Sequence, residues 1–348
     1  MYIYFITATL SSLIAYFGSK TEKYKSGKRL PVIIASALPL FLLSAFRYDV
    51  GTDYRTYITL FNSFSNGHII RNFDIGFIYL CRVIGILGGN FYTMIFVTSL
   101  IFISFVFYYI YYDSPYPYIS IYLVFAMQYY FASFNGIRQM CGAAILLFSL
   151  KFVREKKLIP FLICVFSAYA FHNTCIVFLP VYWFDKFKIK PIYIIIISIF
   201  VFVFGDRIAN IINTFMINTK YESYAREGGD GRIRLSWTLI QVAIVIFSSL
   251  YYKNESKYNM LYNLQVVTMW LSFLNSDVSW IWRIQWTTGL AGIVFIPYVI
   301  SKSNIRNNKI LYALIVIACF SIYIYISTVR GGKHDVLPYM TYLTSSLF

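Results

Sequence analysis

Charge is scarce in this chain. Lys, Arg, Asp and Glu make up 13% of its 348 residues, against 59% apolar and 21% aromatic residues, whereas a soluble globular domain carries roughly one quarter charged residues. That shortage excludes a soluble globule. Cysteine is also sparse and unpatterned: Cys81, Cys141, Cys164, Cys175 and Cys319 all sit in apolar stretches, with neither Cys-x-x-Cys nor metal-ligand spacing. They read as small buried residues, so neither a disulfide framework nor a metal is expected. A basic domain is missing as well. The net charge of +16 is spread among apolar segments instead of forming a basic patch, so no nucleic-acid partner is expected. Short alternating segments of the kind that build a transmembrane β-barrel are absent. The first basic cluster follows the first apolar run instead of preceding it, so the first helix is expected to be retained and not cleaved as a signal peptide.

Long apolar runs are abundant. YIIIISIFVFVF and ILYALIVIACFSIYIYIS are apolar on every side, as helices facing lipid must be. The chain therefore reads as an all-α polytopic integral membrane protein, one domain over 1–348. Five short Lys-rich segments, 20–29, 151–157, 186–190, 253–257 and 302–309, hold 17 of the 30 basic residues and fit cytoplasmic loops. Placing them inside puts both termini outside, with about twelve transmembrane or re-entrant helices and outer loops at 47–74 and 205–234. The run 75–89 is short for a crossing and contains Arg82, so it is expected to be re-entrant or tilted.

This sorting separates two kinds of cation. Of the 17 inner basic residues, 14 are Lys; of the 13 others, 11 are Arg. Insertion energetics count Lys and Arg alike, but gripping phosphate oxygens in a partly dry site favours the planar, forked guanidinium. The outer face thus points to a phosphorylated, lipid-linked anion, the bland alternative being contact with lipid headgroups.

Particular stretches supply candidates. In RYDVGTDYRTYITLF (47–61), Gly51 permits a turn and Thr52 or Asp53 can cap a helix. Tyr54, Tyr57, Ile58 and Phe61 then fall on one face and Arg55, Thr59 and Asn62 on the other, predicting an amphipathic helix along the membrane surface with its Tyr in the interfacial belt. A hairpin whose first arm runs YISIYLVFAMQYYFASF presents Arg138 and Gln139 at its tip, and a second presents His172 and Asn173. The arms of the second are short, so its tip lies below the surface, where a polar break must line a cavity. His172 could exchange a proton or simply cap a helix. WIWRIQW sets Arg283 among three Trp, either a sugar-stacking platform or an aromatic belt. Asp277 is an acid in an apolar helix, and His334 and Asp335 form a further acid/base pair. The loop 205–234 carries Arg226, Arg232 and Arg234 around GGDG. With no strand before it and no Lys-Ser/Thr after it, GGDG is not a phosphate loop; the segment reads as a lid or acceptor-binding element.

Taken in order, FRYDVGTDYRTYITLF, NFDIGF, FNGIRQ with the basic KFVREKK, AYAFHNTCIVFLPVYWF, IWRIQW and LPYMTY resemble the EpsG family of polysaccharide polymerases, related to the Wzy-type O-antigen and exopolysaccharide polymerases. The resemblance covers nearly the whole chain except 205–234. It implies a GT-C-like membrane glycosyltransferase of the bacterial inner membrane. Such an enzyme works at the periplasmic face, moving a growing glycan from undecaprenyl diphosphate onto a lipid-linked repeat unit. Neither metal nor other cofactor is implied. The partners are undecaprenyl-diphosphate-linked oligosaccharides, membrane lipids and a chain-length regulator. On that reading Arg47, Arg55, Arg138 and Arg283 serve the diphosphate, Tyr54, Gln139 and Arg232 contact substrate, and His172 or Asp53 is the base. An O-antigen ligase or a lipid-linked oligosaccharide flippase are the alternatives.

Overall fold

The computed structural model describes residues 1–70, 73–216, 235–250, 256–274, 281–303 and 308–342. Among them the regular secondary structure is entirely helical, the one extended pairing being an isolated antiparallel bridge between Arg47 and Thr341. Helices α1 (Tyr2–Ser19) and α3 (Leu30–Ala45) pack together, joined through the short α2 (Glu22–Lys25), whose first turn is capped by the Thr21 side chain. Then come α4 (Tyr54–Ser65), α5 (Ile75–Ile86) and α6 (Phe91–Asp113), the last started by a reciprocal Asn90–Thr93 capping box. The sequence continues through α7 (Pro117–Ala126), α8 (Tyr129–Asn135), α9 (Ile137–Arg154), α10 (Leu158–Phe171) and a 3-10 segment, Asn173–Trp183. The C-terminal part comprises α11 (Pro191–Met216), α12 (Leu235–Ser249), α13 (Ser256–Phe273), α14 (Ile281–Gly289), α15 (Gly292–Lys302) and α16 (Asn308–Tyr325), followed by a π-turn, Ile326–Arg330.

The apolar runs do not all become long helices. Among the described residues, Phe91–Asp113 and Lys309–Arg330 are long and apolar enough to cross a membrane; two bent pairs, Pro191–Gly205 with Arg207–Phe215 and Ile281–Gly289 with Gly292–Lys302, raise the number to four. Several shorter apolar helices accompany them, so the described residues support a helical membrane protein, with two to four helices of full crossing length among them. The reason is visible at the breaks. The arm expected to run unbroken through 118–134 stops at Gln128, whose backbone is left-handed (φ 68°), and the next hairpin stops at His172, which is extended (φ −156°). Helix α5 has 12 residues, about 18 Å of rise, and is thus too short for a bilayer core of about 30 Å.

Helix α9 is the hub. It packs on α6, α10, α14 and the 3-10 segment, and almost its whole length is buried. Small residues permit this: a Cβ on Gly142 would stand 2.7 Å from Cys175 Sγ and 3.1 Å from the Ala168 carbonyl, so only Gly lets the backbones approach so closely. The expected amphipathic face of α4 forms, with Tyr54, Tyr57, Phe61 and Phe64 buried. Its partners, however, are Phe77, Phe91 and their neighbours on α5 and α6. The Tyr side chains are therefore core residues and not an interfacial belt.

Helix α6, about 35 Å long by its 23 residues, connects two charged poles. At its Asp113 end, Asp113 pairs with Arg154 and, at 2.9 Å, with Lys257, while Lys156 pairs with Asp185. These cations come from the Lys-rich segments. At its Phe91 end lie the Arg-bearing turns, tied down by the chain's tail: Tyr48 N–H donates to the Met340 carbonyl (2.9 Å) and Gly51 N–H to that of Asp335 (2.8 Å). Gly51 is obligatory there, since its φ is 112° and a Cβ would meet Asn135 Oδ1 at 2.5 Å.

Candidate active site

Four helical elements begin at one cleft of the Arg-rich pole, and α14 runs beside them. Asp53 occupies the N-cap position of α4, Asp74 that of α5, Gly136 that of α9 and His172 that of the 3-10 segment, while α14 contributes Arg283. Each helix N-terminus carries a partial positive charge, although the first N–H groups of the 3-10 segment are already taken by Asp74 and His172. Their convergence favours an anion even before the side chains are counted.

Arg138 lies at the centre. It pairs with Asp74, stands 4.1 Å from the Phe73 ring and is contacted by the Tyr57 hydroxyl. Asp74 is 5% exposed and accepts the Asn173 N–H at 3.2 Å with its other oxygen. One carboxylate thus fixes both the guanidinium on α9 and the turn after α10. Close helix contact places Asp74 there: a Cβ on Gly76 would come within 2.8 Å of the Ala170 carbonyl. Asp74 belongs to the NFDIGF motif, yet no feature of periodicity or charge marked it as a site residue.

His172 is 7% exposed. Its Nδ1 accepts the Thr174 N–H at 3.3 Å and lies 2.7 Å from the Thr174 hydroxyl. Because a backbone N–H can only donate, the neutral ring carries its hydrogen on Nε2. Burial above all, then the fields of Arg138 and Arg283, push its pKa down to about 3, so at neutral pH the ring is an uncharged donor. Asp53 differs in every respect. It is exposed, its side chain makes no cap bond to α4, and the Thr52 hydroxyl is 3.4 Å away. Desolvation at the cleft raises its carboxyl pKa, against the lowering effects of the Thr52 hydroxyl, Arg283 and Arg138. Asp53, Arg138, His172 and Arg283 are therefore near neighbours, as those electrostatic couplings require.

Other expected site residues lie elsewhere. Arg47 is 1% exposed; its Nη1 donates to the Ser44 carbonyl (2.7 Å) at the C-terminal end of α3, and its guanidinium stands 4.5 Å from the Phe134 ring. Burial lowers its pKa to about 10, and its contacts hold the 46–51 turn instead of facing the cleft. Arg55 points outward, 84% exposed, and pairs with Asp49 at 3.0 Å. Tyr54 is buried against Phe91. Gln139 is buried and donates to the Arg283 carbonyl, so it positions α14 instead of offering its amide to a ligand. His334 is buried beside Asn135, whose Nδ2 is 3.0 Å from its Nδ1. Arg232, Arg226, Arg234 and Asp277 lie outside the described residues. Among the described residues no cluster of His, Cys, Asp and Glu could hold a metal ion.

The EpsG family model matches residues 31–341, a stretch that includes every cleft residue named above. No curated protein and no solved structure matches the chain.

Proposed function

Because the chain belongs to the EpsG family, we propose that it is a polysaccharide polymerase, a membrane glycosyltransferase acting at the periplasmic face of the bacterial inner membrane. The observation that carries this reading is the cleft where the N-termini of α4, α5, α9 and the 3-10 segment meet Arg138 and Arg283 beside the exposed carboxylate of Asp53. A growing glycan on undecaprenyl diphosphate is the donor, and the sugar end of a second lipid-linked repeat unit is the acceptor. The acceptor hydroxyl oxygen attacks the anomeric carbon, and the bond from that carbon to the diphosphate oxygen breaks. The electron pair leaves with undecaprenyl diphosphate, whose growing charge is stabilised by Arg138, Arg283 and the helix N-termini. The hydroxyl proton passes to a base.

Between the two base candidates the local chemistry favours Asp53. His172 holds its lone pair at Nδ1 on Thr174 and presents Nε2–H, which suits it to donate to a diphosphate or glycosidic oxygen. Asp53 has a raised carboxyl pKa and solvent access, as a proton acceptor at the cleft rim needs. Arg47 and Arg55 have no contact with substrate in this scheme.

The test is complementation of a strain lacking the gene with Asp53→Asn, His172→Asn, Arg138→Ala or Arg138→Lys, reading the surface-polysaccharide ladder on a gel. Loss of polymerase activity leaves one repeat unit per acceptor, whereas loss of a ligase or flippase leaves none. A bare acceptor in the deletion strain, or a full ladder from Asp53→Asn expressed at the normal level, overturns the corresponding part of the proposal.

A further inference from the structure

We infer that a cavity beside this cleft is a saccharide subsite, a pocket for one sugar residue of the glycan; this rests on the glycan-transfer reading above. The cavity has a volume of about 280 Å³, with Trp237, Trp282 and Trp286 in its walls together with Gln128, Gln285 and Tyr323. Three of the residues lining it each have one polar atom without a partner. Gln128 and Gln285 are 4% and 3% exposed, yet Gln128 Oε1, Gln285 Nε2 and the hydroxyl of Tyr129, which also lines the space, have no hydrogen-bond partner. Buried amide and hydroxyl groups normally find one, and here three such atoms belong to residues that line one cavity.

The chemistry of that ligand follows from the set. An unmet acceptor (Gln128 Oε1) and an unmet donor (Gln285 Nε2) together call for groups able to both donate and accept, which hydroxyls do. Lys333 and His334 add further polar groups to the lining, and an acyl chain could satisfy none of them. The indole faces suit the apolar C–H face of a pyranose ring, in the manner of ligand sites that combine aromatic walls with a few convergent polar groups. Gln128 is set there by the left-handed break between α7 and α8 (φ 68°) and by its Nε2 donating to Ser327 Oγ.

Helix α14 joins the cavity to the cleft. Trp282, Gln285 and Trp286 line the cavity, whereas Arg283 on the same turn acts on His172 and Asp53 and lies 5.0 Å from the Trp282 ring. A sugar held by the indoles would therefore sit next to the cations that hold the diphosphate.

The probe is oligosaccharide released by partial acid hydrolysis from the producing strain's polysaccharide, carrying neither lipid nor phosphate. Binding to the purified full-length chain in nanodiscs is read by saturation-transfer NMR and tryptophan fluorescence. Saturable binding is expected, weakened at least about tenfold by Trp286→Ala and Gln285→Leu, partly restored by Trp286→Phe and unchanged in Arg55→Ala. Gln128→Asn, which tolerates the left-handed backbone, serves where Gln285→Leu does not fold. Absence of saturable binding, or equal binding in wild type and these cavity variants, overturns the subsite. Variant-sensitive binding combined with an unaltered ladder in the deletion strain supports the subsite and overturns the polymerase reading.

Discussion

Removing the Asp74 carboxylate is the sharpest test of how the cleft is held. Asp74 has two jobs, the ion pair with Arg138 and acceptance of the Asn173 N–H at 3.2 Å. Deleting one partner of a fully buried pair costs about 3–5 kcal/mol because the other charge is stranded. The Arg138 side chain is 19% exposed against 5% for Asp74, so it regains part of its hydration, and the cost falls to about 2 kcal/mol for Asp74→Asn. Asn keeps an acceptor for Asn173; Asp74→Ala loses that as well and should cost roughly 1 kcal/mol more. Unfolding by SDS titration in mixed micelles measures both. A double-mutant cycle with Arg138→Ala should return a coupling energy of about 2 kcal/mol. With Arg138 no longer held between α5 and α9, Asp74→Asn should also shorten the polysaccharide ladder. A coupling energy below about 0.5 kcal/mol, or a full ladder from Asp74→Asn, would refute the claim that this pair organises the site.

Four further outcomes follow from the structure. Arg47→Met, which fills the same buried space without a charge, should leave stability within about 1–2 kcal/mol and retain the ladder; Arg55→Ala should change stability by less than about 0.5 kcal/mol. A well-expressed Arg47→Met variant without a ladder would show that Arg47 does reach substrate. His172 has a folded pKa lowered to about 3 from an ordinary value of about 6.5, so between these values the unfolded chain binds the extra proton. Its contribution to stability is complete above about pH 6.5 and is lost as pH falls towards 3, at up to about 1.4 kcal/mol per pH unit. His172→Asn, which keeps a capping side chain, should flatten that part of a pH series of SDS titrations; an unchanged slope would place the titration on another group. In Gly76→Ala the new methyl meets the Ala170 carbonyl at 2.8 Å and the Ala170 Cβ at 3.0 Å, where backbone cannot yield. The variant should lose about 1–3 kcal/mol, and thermal inactivation at wild-type temperature would contradict the close α5–α10 contact.

Much of this protein is determined by composition and local pattern. The membrane class, the helical content, the gathering of Lys-rich segments at one pole and Arg-bearing turns at the other, and the buried face of α4 all depend on residues near one another in sequence. Burial energy and helical periodicity act over a few turns, so a linear reading captures them. The candidates Asp53, Arg138, His172 and Arg283 were visible for the same reason: each is a polar break at the end of an apolar run.

Which of the Arg outside the Lys-rich segments come together was decided only in three dimensions. Arg47 and Arg55 are as conspicuous in sequence as Arg138, yet one turns inward to the end of α3 and the other out to Asp49. The choice depends on where helices cross. Asp74 meets Arg138 across 64 residues, and Asn135 meets His334 across 199. Close backbone contact at Gly76 and Gly142, and the left-handed break at Gln128, set those crossings. Such contacts are fixed by the packing of distant surfaces, which local pattern does not encode. The sequence alone therefore set Arg-bearing turns apart from Lys-rich segments on a helical membrane protein, and the tertiary structure selected the few side chains that gather around Arg138.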